Sequence, residues 1–507
     1  MRLLVLLPLL LFTACQPPKA AAQPTDPATP VAPAPAPANL RHSVVRLNST
    51  VQSWNPGQPW EKTSPSSRRA LAAIVGPQRV LTTAEMVADA TNLEFESPDG
   101  TLYAPAKIIA VDYEANLALL GPVTAAEGDK LFAPTQPVAV AAPATIGQTL
   151  EIYQIEDNGV ELRTSGTLQT VDVSSNFLPG HAFLTYQIKA SMQSAASSYS
   201  IPVFDGAKLA GVLTSYDSKD QLCEVAATDI VARFITAAAK EPYIGFPSIG
   251  VGIARTEDPS FRQWLKLPDD QGGLYLSSVR KGGAAAAAGV QKGDVLLAID
   301  GHAIDRRGYY PHPTYGNLSW GHLVRGERAV GDTVTLSLIR AGQPLELKAT
   351  LTRDDERSRL VPNYTFGTQP NYLVKGGFIF QELTRPLLTA FGEDWPSRAP
   401  LDLLDVYENP EKYQDRADHI IFLSGVIPTP PTVGYESLRN LIVRKVNGTE
   451  IRNMKTLIAA FKANTGSLHS IQFDQENFTI HLDEAAAATV DAELLQRGIP
   501  RLSNVNE

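Results

Sequence analysis

Residues 273–301 read GLYLSSVRKGGAAAAAGVQKGDVLLAIDG, and the fold is decided there. The pieces are a strand, a glycine turn, a short alanine-rich helix, a tight Lys292-Gly293-Asp294 turn, and a second strand ending in Asp300-Gly301. Downstream, DTVTLSLIRAGQPLELKATL (332–351) alternates apolar and polar residues and reads as a hairpin. Together these make one small α/β module over about residues 241–355. A distant copy follows over about 361–485. Its pieces are GGFIFQELT (376–384), HIIFLSGVI (419–427), LRNLIVRKVNGTEIRNMKTLIAAFK (438–462) and HSIQFDQENFTIHLD (469–483). Residues 486–507 read as a C-terminal tail.

Working outward toward the N-terminus, residues 40–240 look all-β. Short apolar runs recur between Gly, Pro, Asn and Asp, as in HSVVRLNSTV (42–51), ALAAIV (70–75), NLEFESPDG (92–100), AKIIAVD (106–112) and LALLGPV (117–123). Many short strands at this spacing predict a sandwich or barrel. ATDIVARFITAAAK (227–240) has helical spacing and should close that domain.

The chain has 507 residues, too many for one core, and 44% hydrophobic with 19% charged residues is ordinary globular composition. A net charge of −9 with no Lys/Arg cluster argues against a nucleic-acid partner. The eight histidines are scattered without ligand spacing, so neither a metal nor a cofactor is expected. The two cysteines, Cys15 and Cys223, predict no disulfide framework, and Cys223 reads as a small buried hydrophobe.

Arg2 followed by the apolar run Leu3 to Phe12 is laid out as a signal peptide. It ends in Phe12-Thr13-Ala14-Cys15, which resembles the bacterial lipobox, where the cysteine is lipidated. Gln16 in place of an aspartate then implies sorting to the outer membrane, facing the periplasm. Residues 16–39 are dominated by Pro and Ala and read as an extended tether.

Four stretches in order resemble the HtrA/Deg family of trypsin-like serine proteases with C-terminal PDZ domains, on its plant and fungal branch. They are GFPSIGVGI (245–253), KGDVLLAIDG (292–301), GGFIF with LTRPLLTAFGEDW (376–380, 383–395) and GYESLRNLIVRKVNGTEIRNMKTL (434–457). The resemblance spans about residues 42 to 490. It implies a mainly β fold, a double six-stranded barrel followed by two PDZ-type α+β modules, and assembly into trimers or larger cages.

The family's chemistry does not carry over. A serine hydrolase needs a hydroxyl nucleophile, a base with a pKa near the working pH, and an acid that orients the base. The base belongs to a Thr-Asn-Ala-His-Val-Val-like segment, and here Thr82-Thr83-Ala84-Glu85-Met86-Val87 puts Glu85 in its place. The orienting acid belongs to Asp-Leu-Ala-Leu-Leu, and here Asn116-Leu117-Ala118-Leu119-Leu120 puts Asn116 there. The nucleophile belongs to Gly-Asn-Ser-Gly-Gly-Pro. Here QIKASMQSAASSYSIPVFDG (187–206) puts Ser197 there counting forward, or Tyr199 counting back from Pro202, and the oxyanion-hole glycines are gone. His42 and His181 are the only histidines of that domain, and neither matches the base segment. Glu85 also reads simply as an exposed carboxylate at a helix start.

Three functions compete. The first is a lipid-anchored pseudoprotease that binds peptide C-termini or unfolded chains in the cell envelope. The second is an endopeptidase with a rearranged site using Ser197, Ser198 or Ser200. The third is a scaffold for active paralogues. By the resemblance, a peptide carboxylate is held by Ser248, Ile249, Gly250 and Val251, and Leu318 or Leu323 on a helix NLSWGHLV (317–324) lines the side-chain pocket.

Overall fold

The computed structural model describes residues 39–192, 200–474 and 479–506. Cys15 and the tether, together with Ser197, Ser198 and Tyr199, lie outside the described residues.

The first closed barrel joins Val44–Val51, Ser66–Gly76, Arg79–Thr82, Leu117–Pro122, Tyr103–Asp112 and Ala90–Glu96. The second joins Glu161–Ser174, Phe183–Lys189, Leu222–Ala227, Lys208–Asp217, Ile201–Asp205 and Thr149–Ile155. Closure leaves no strand edge for another chain to extend. Alternate side chains point inward, so Val45, Leu47, Ile74, Val80, Phe95, Ala118 and Leu120 fill the first barrel. A buried ion pair stitches the barrels together. Arg46 meets Glu96 at 3.1 Å and also donates to the Glu156 carbonyl, while Arg69 reaches both Glu96 and Asp157. The helix Thr228–Ala238 closes this half, as its spacing predicts.

Two sheets of matching order follow. The first runs Val251–Ala254, Leu274–Val279, Val295–Ile299, Thr333–Arg340, Gln343–Thr350, with Val251–Ala254 at one edge. In the second the corresponding run is Phe378–Glu382, Ile421–Val426, Leu441–Val446, Leu468–Phe473, Thr479–Asp483. Here the edge continues, because Tyr372–Lys375 pairs with Phe378–Glu382 and Ser503–Asn504 pairs with Tyr372–Lys375.

The C-terminal residues are therefore no tail. Helix Glu484–Gln496 packs Val490 and Leu494 into a cluster with Tyr372, Val374 and Ile379, and the last strand extends the same sheet. That cluster also takes Trp60 from the hairpin Trp54–Asn55/Gln58–Lys62 of the first barrel. Its ring sits 6.1 Å from that of Tyr372. Among the described residues no helix is long and apolar enough to cross a membrane.

Candidate functional site

The stretch LTTAEMV does what its pattern predicts. Strand Arg79–Thr82 ends, and a single 3-10 turn, Ala84–Met86, carries Glu85. Asn116 enters from the next loop at φ 53, a left-handed conformation that asparagine tolerates better than most residues. Its Oδ1 accepts the Glu85 backbone N–H at 2.9 Å, so the fold brings Glu85 and Asn116 side by side. Asn116 is buried, and its Nδ2 meets no acceptor among the described residues.

Glu85 is not the exposed carboxylate the sequence suggests. It is half-buried, and desolvation raises its pKa while the Arg68 guanidinium opposes the rise. Arg68 also donates to the Glu85 carbonyl. The shift runs in the direction that helps a base. The neighbour at hand is nonetheless an amide, which does not exchange a proton at neutral pH, and it holds the Glu85 backbone rather than the carboxylate.

Ser200 is wholly buried at the start of the strand Ile201–Asp205. Burial pushes the Cys223 thiol up to about 11, and its Sγ lies 3.7 Å from Met192 Sδ, so it is a packing group rather than a thiolate.

Two residues from Asn116 sits a charged junction that the sequence did not disclose. Glu114 lies 3.0 Å from His181 Nδ1 and 3.6 Å from Arg325 Nη2. His181 and the Arg325 and Arg353 guanidinium groups outweigh burial and hold the Glu114 carboxyl at about 2. Asp112 accepts from the Tyr243 hydroxyl at 2.9 Å, and Glu356 pairs with Arg359 at 2.8 Å. First barrel, second barrel, first sheet unit and the segment after it all meet here.

The loop before the first sheet's edge strand has the features of a carboxylate cradle. Gly250 takes φ 76, where a side chain would be strained. Ser248 pairs with Thr352, and Ser248 Oγ accepts the Gly250 N–H at 3.2 Å. Ile249 is buried, whereas Val251 is half-exposed and Ile253 is 38% exposed. Among the described residues Val251–Ala254 pairs only with Leu274–Val279, so its outer edge is open to an added strand.

The facing element differs from expectation. NLSWGHLV is not one helix, since Gly316–Ser319 is a strand paired with Tyr309–His312 and the helix is only Gly321–Arg325. Leu318 and Leu323 are 0% and 2% exposed, so they line no open pocket. The cause is docking: Tyr315 bonds the Ala144 carbonyl at 3.1 Å and Arg325 lies over Phe183, which draws this face onto the second barrel.

In the second sheet the equivalent place is filled. Lys375-Gly376-Gly377-Phe378 forms a tight hairpin, and Tyr372–Lys375 occupies the position where an added strand would lie. Leu373 packs with Met454, Leu457 and Phe461 of the helix Met454–Lys462. The Gly376 N–H donates to the Asp491 carboxylate at 2.7 Å.

Comparison with known proteins agrees with this architecture. Two family models described as PDZ domain match residues 247–351 and 361–501. Protease Do-like 2, chloroplastic, from Arabidopsis thaliana is 24% identical over 474 residues, covering 91% of this chain and 75% of that protein. These likenesses support the HtrA/Deg family with C-terminal PDZ domains. Putative protease Do-like 3, mitochondrial, from the same plant is 23% identical, covering 90% of this chain and 78% of that protein. The solved HtrA-type protease AlgW with decapeptide shares 18% identity over 62% of this chain and 97% of that one, with a TM-score of 0.47, a likeness that carries no argument of its own.

Scattered along the sequence, the histidines of this chain still converge with carboxylates in two places among the described residues. They are Glu114, His181 and Glu356, and His312, His322 and Glu327. Arg325 and Arg359 already neutralise the first. In the second, His312 Nδ1 accepts the Thr314 and Tyr315 N–H groups and His322 Nδ1 is bound to the Tyr310 hydroxyl at 2.7 Å, so both rings are fixed by their own loop and strand.

Proposed function

We propose that this chain is a catalytically silent HtrA/Deg homologue that binds peptide C-termini or unfolded segments through its first PDZ unit. It would do so while tethered to the bacterial cell envelope by a lipidated Cys15. The observation that carries the reading is the hydrogen bond from the Glu85 N–H to Asn116 Oδ1. Where hydrolysis needs an imidazole backed by a carboxylate, there stands a glutamate whose backbone is held by an asparagine amide. Peptide binding needs none of that machinery. It needs an open strand edge with a glycine loop beside it, and Val251–Ala254 with Gly250 supply both.

Two assays test this. Unfolded casein incubated with the full chain at neutral pH should stay intact, and cleavage that disappears in Ser197→Ala would establish a rearranged protease instead. Peptides with a free C-terminus should bind better than their amides. Equal binding would make the first PDZ unit an interdomain spacer. Membrane attachment is separable: Cys15→Ala should release the protein into the soluble fraction, because a stable anchor needs more than one acyl chain's worth of burial and only the lipidated cysteine supplies it.

A further inference from the structure

The first PDZ unit carries a cation beside its glycine loop. Arg280 follows the strand Leu274–Val279 and precedes the short helix Ala284–Ala287. Its backbone N–H donates to the Gly250 carbonyl at 2.9 Å, and its Cβ lies 3.6 Å from where a Cβ on Gly250 would stand. The side chain therefore starts at the cradle.

Its present partner is Asp354, with Nη1 3.2 Å from Oδ2. That pairing is loose. Nη1 makes no well-directed hydrogen bond among the described residues, and Asp354 Oδ1 is buried without a donor. Arg359 approaches the same Oδ2 at 3.2 Å, so Asp354 keeps a counterion if Arg280 leaves. The Arg280 side chain as a whole is about a quarter exposed, with Nη1 itself buried against Asp354. The cradle also needs help. Ser248 Oγ already takes the Gly250 N–H, which removes one backbone donor from any incoming carboxylate.

We propose that Arg280 receives the α-carboxylate of a peptide strand added along Val251–Ala254, exchanging Asp354 for the ligand. A planar guanidinium can meet a carboxylate through two parallel N–H groups, which a single loop amide cannot match. This rests on the strand-addition reading above. It names the residue that makes the site acid-selective.

The test uses the full chain and a pool of fluorescein-labelled decapeptides, randomised except for a C-terminal valine, made as free acids and as amides. Anisotropy titrations give the preference for the free acid. A wild-type chain without that preference sinks strand addition itself. If wild type shows it, Arg280→Gln should cut it about tenfold, the size of one lost charge-assisted bond. Arg280→Lys keeps the charge and should recover part of the loss. Asp354→Asn frees Arg280 and should raise free-acid affinity a few-fold. A wild-type preference in Arg280→Gln overturns the assignment. So does a loss that Arg280→Lys fails to recover, since that marks Arg280 as a structural residue.

Discussion

The two PDZ units are built on one strand order, yet one presents an edge and the other has covered it. In the first, the strand after the glycine loop, Val251–Ala254, has a neighbour on one side only. In the second, the matching strand Phe378–Glu382 lies between Ile421–Val426 and the chain's own Tyr372–Lys375. They are also held differently. The first docks on the barrel half at Glu114, Ala144 and Phe183, whereas the second docks on the Trp60 hairpin, with Gln381 Nε2 donating to the Pro56 carbonyl. Sharing a module is thus no guide to sharing a role. What decides is whether flanking chain returns to fill the groove.

The largest effect should come from placing the same insult on both loops. Gly250→Glu puts a side chain at φ 76 and a negative charge at the cradle, and should abolish free-acid peptide binding, a loss of about a hundredfold or more. Gly377→Glu, at φ 99 with a Cβ 2.8 Å from the Ile427 carbonyl, should leave binding unchanged and lower the melting temperature of the second unit. Anisotropy and calorimetry read the two outcomes. Loss of binding in the Gly377 variant would break the comparison.

Next in size, Leu373→Ala should cost the second unit about 3 kcal/mol in denaturant unfolding, as a buried leucine is lost from its cluster. Peptide affinity should not move. If it rises instead, the covered groove is a competing site rather than a structural one.

The charged junction should respond to acid. The folded pKa of Glu114 is depressed from the ordinary glutamate value of 4.5 to about 2. Its contribution is therefore full above the unfolded value and is lost as pH falls from about 4.5 through 2. Glu114→Gln should destabilise the chain by on the order of 2 kcal/mol at pH 7, with the gap closing toward pH 2. A gap that stays constant across that window would mean that packing, and not charge, holds the junction.

The smallest effect concerns the barrels. Glu85→His with Asn116→Asp restores a base and its acid but no oxyanion glycines, and should give no measurable casein turnover. Losing a single oxyanion donor already costs about 10²–10³ in rate.

Much of this was legible in the sequence, for local reasons. The barrels follow from short alternating runs. The first PDZ unit follows from Gly293, Asp300-Gly301 and the hairpin pattern, since turns announce themselves through residues that tolerate them. That Glu85 and Asn116 would lie close together was legible from the two segments that carry them. Contacts between distant segments were not. YLVK at 372–375 is an ordinary apolar run, and nothing in it says that Ser503–Asn504 will pair with it. Leu318 and Leu323 carry the apolar character of pocket residues, but the docking of Tyr315 and Arg325 on the second barrel buries them. His181 matched no family segment, yet it meets Glu114 because two barrel loops converge. Such contacts depend on where whole elements settle, which no local pattern encodes.

Hydrogen–deuterium exchange of the full chain, with and without saturating free-acid peptide, puts the claim that only the first unit binds to its most direct test. An added strand bonds the amides it covers, so protection should rise over residues 249–254 and stay unchanged over 376–382. New protection at 376–382, or none at 249–254 under conditions where the peptide is bound, would contradict it.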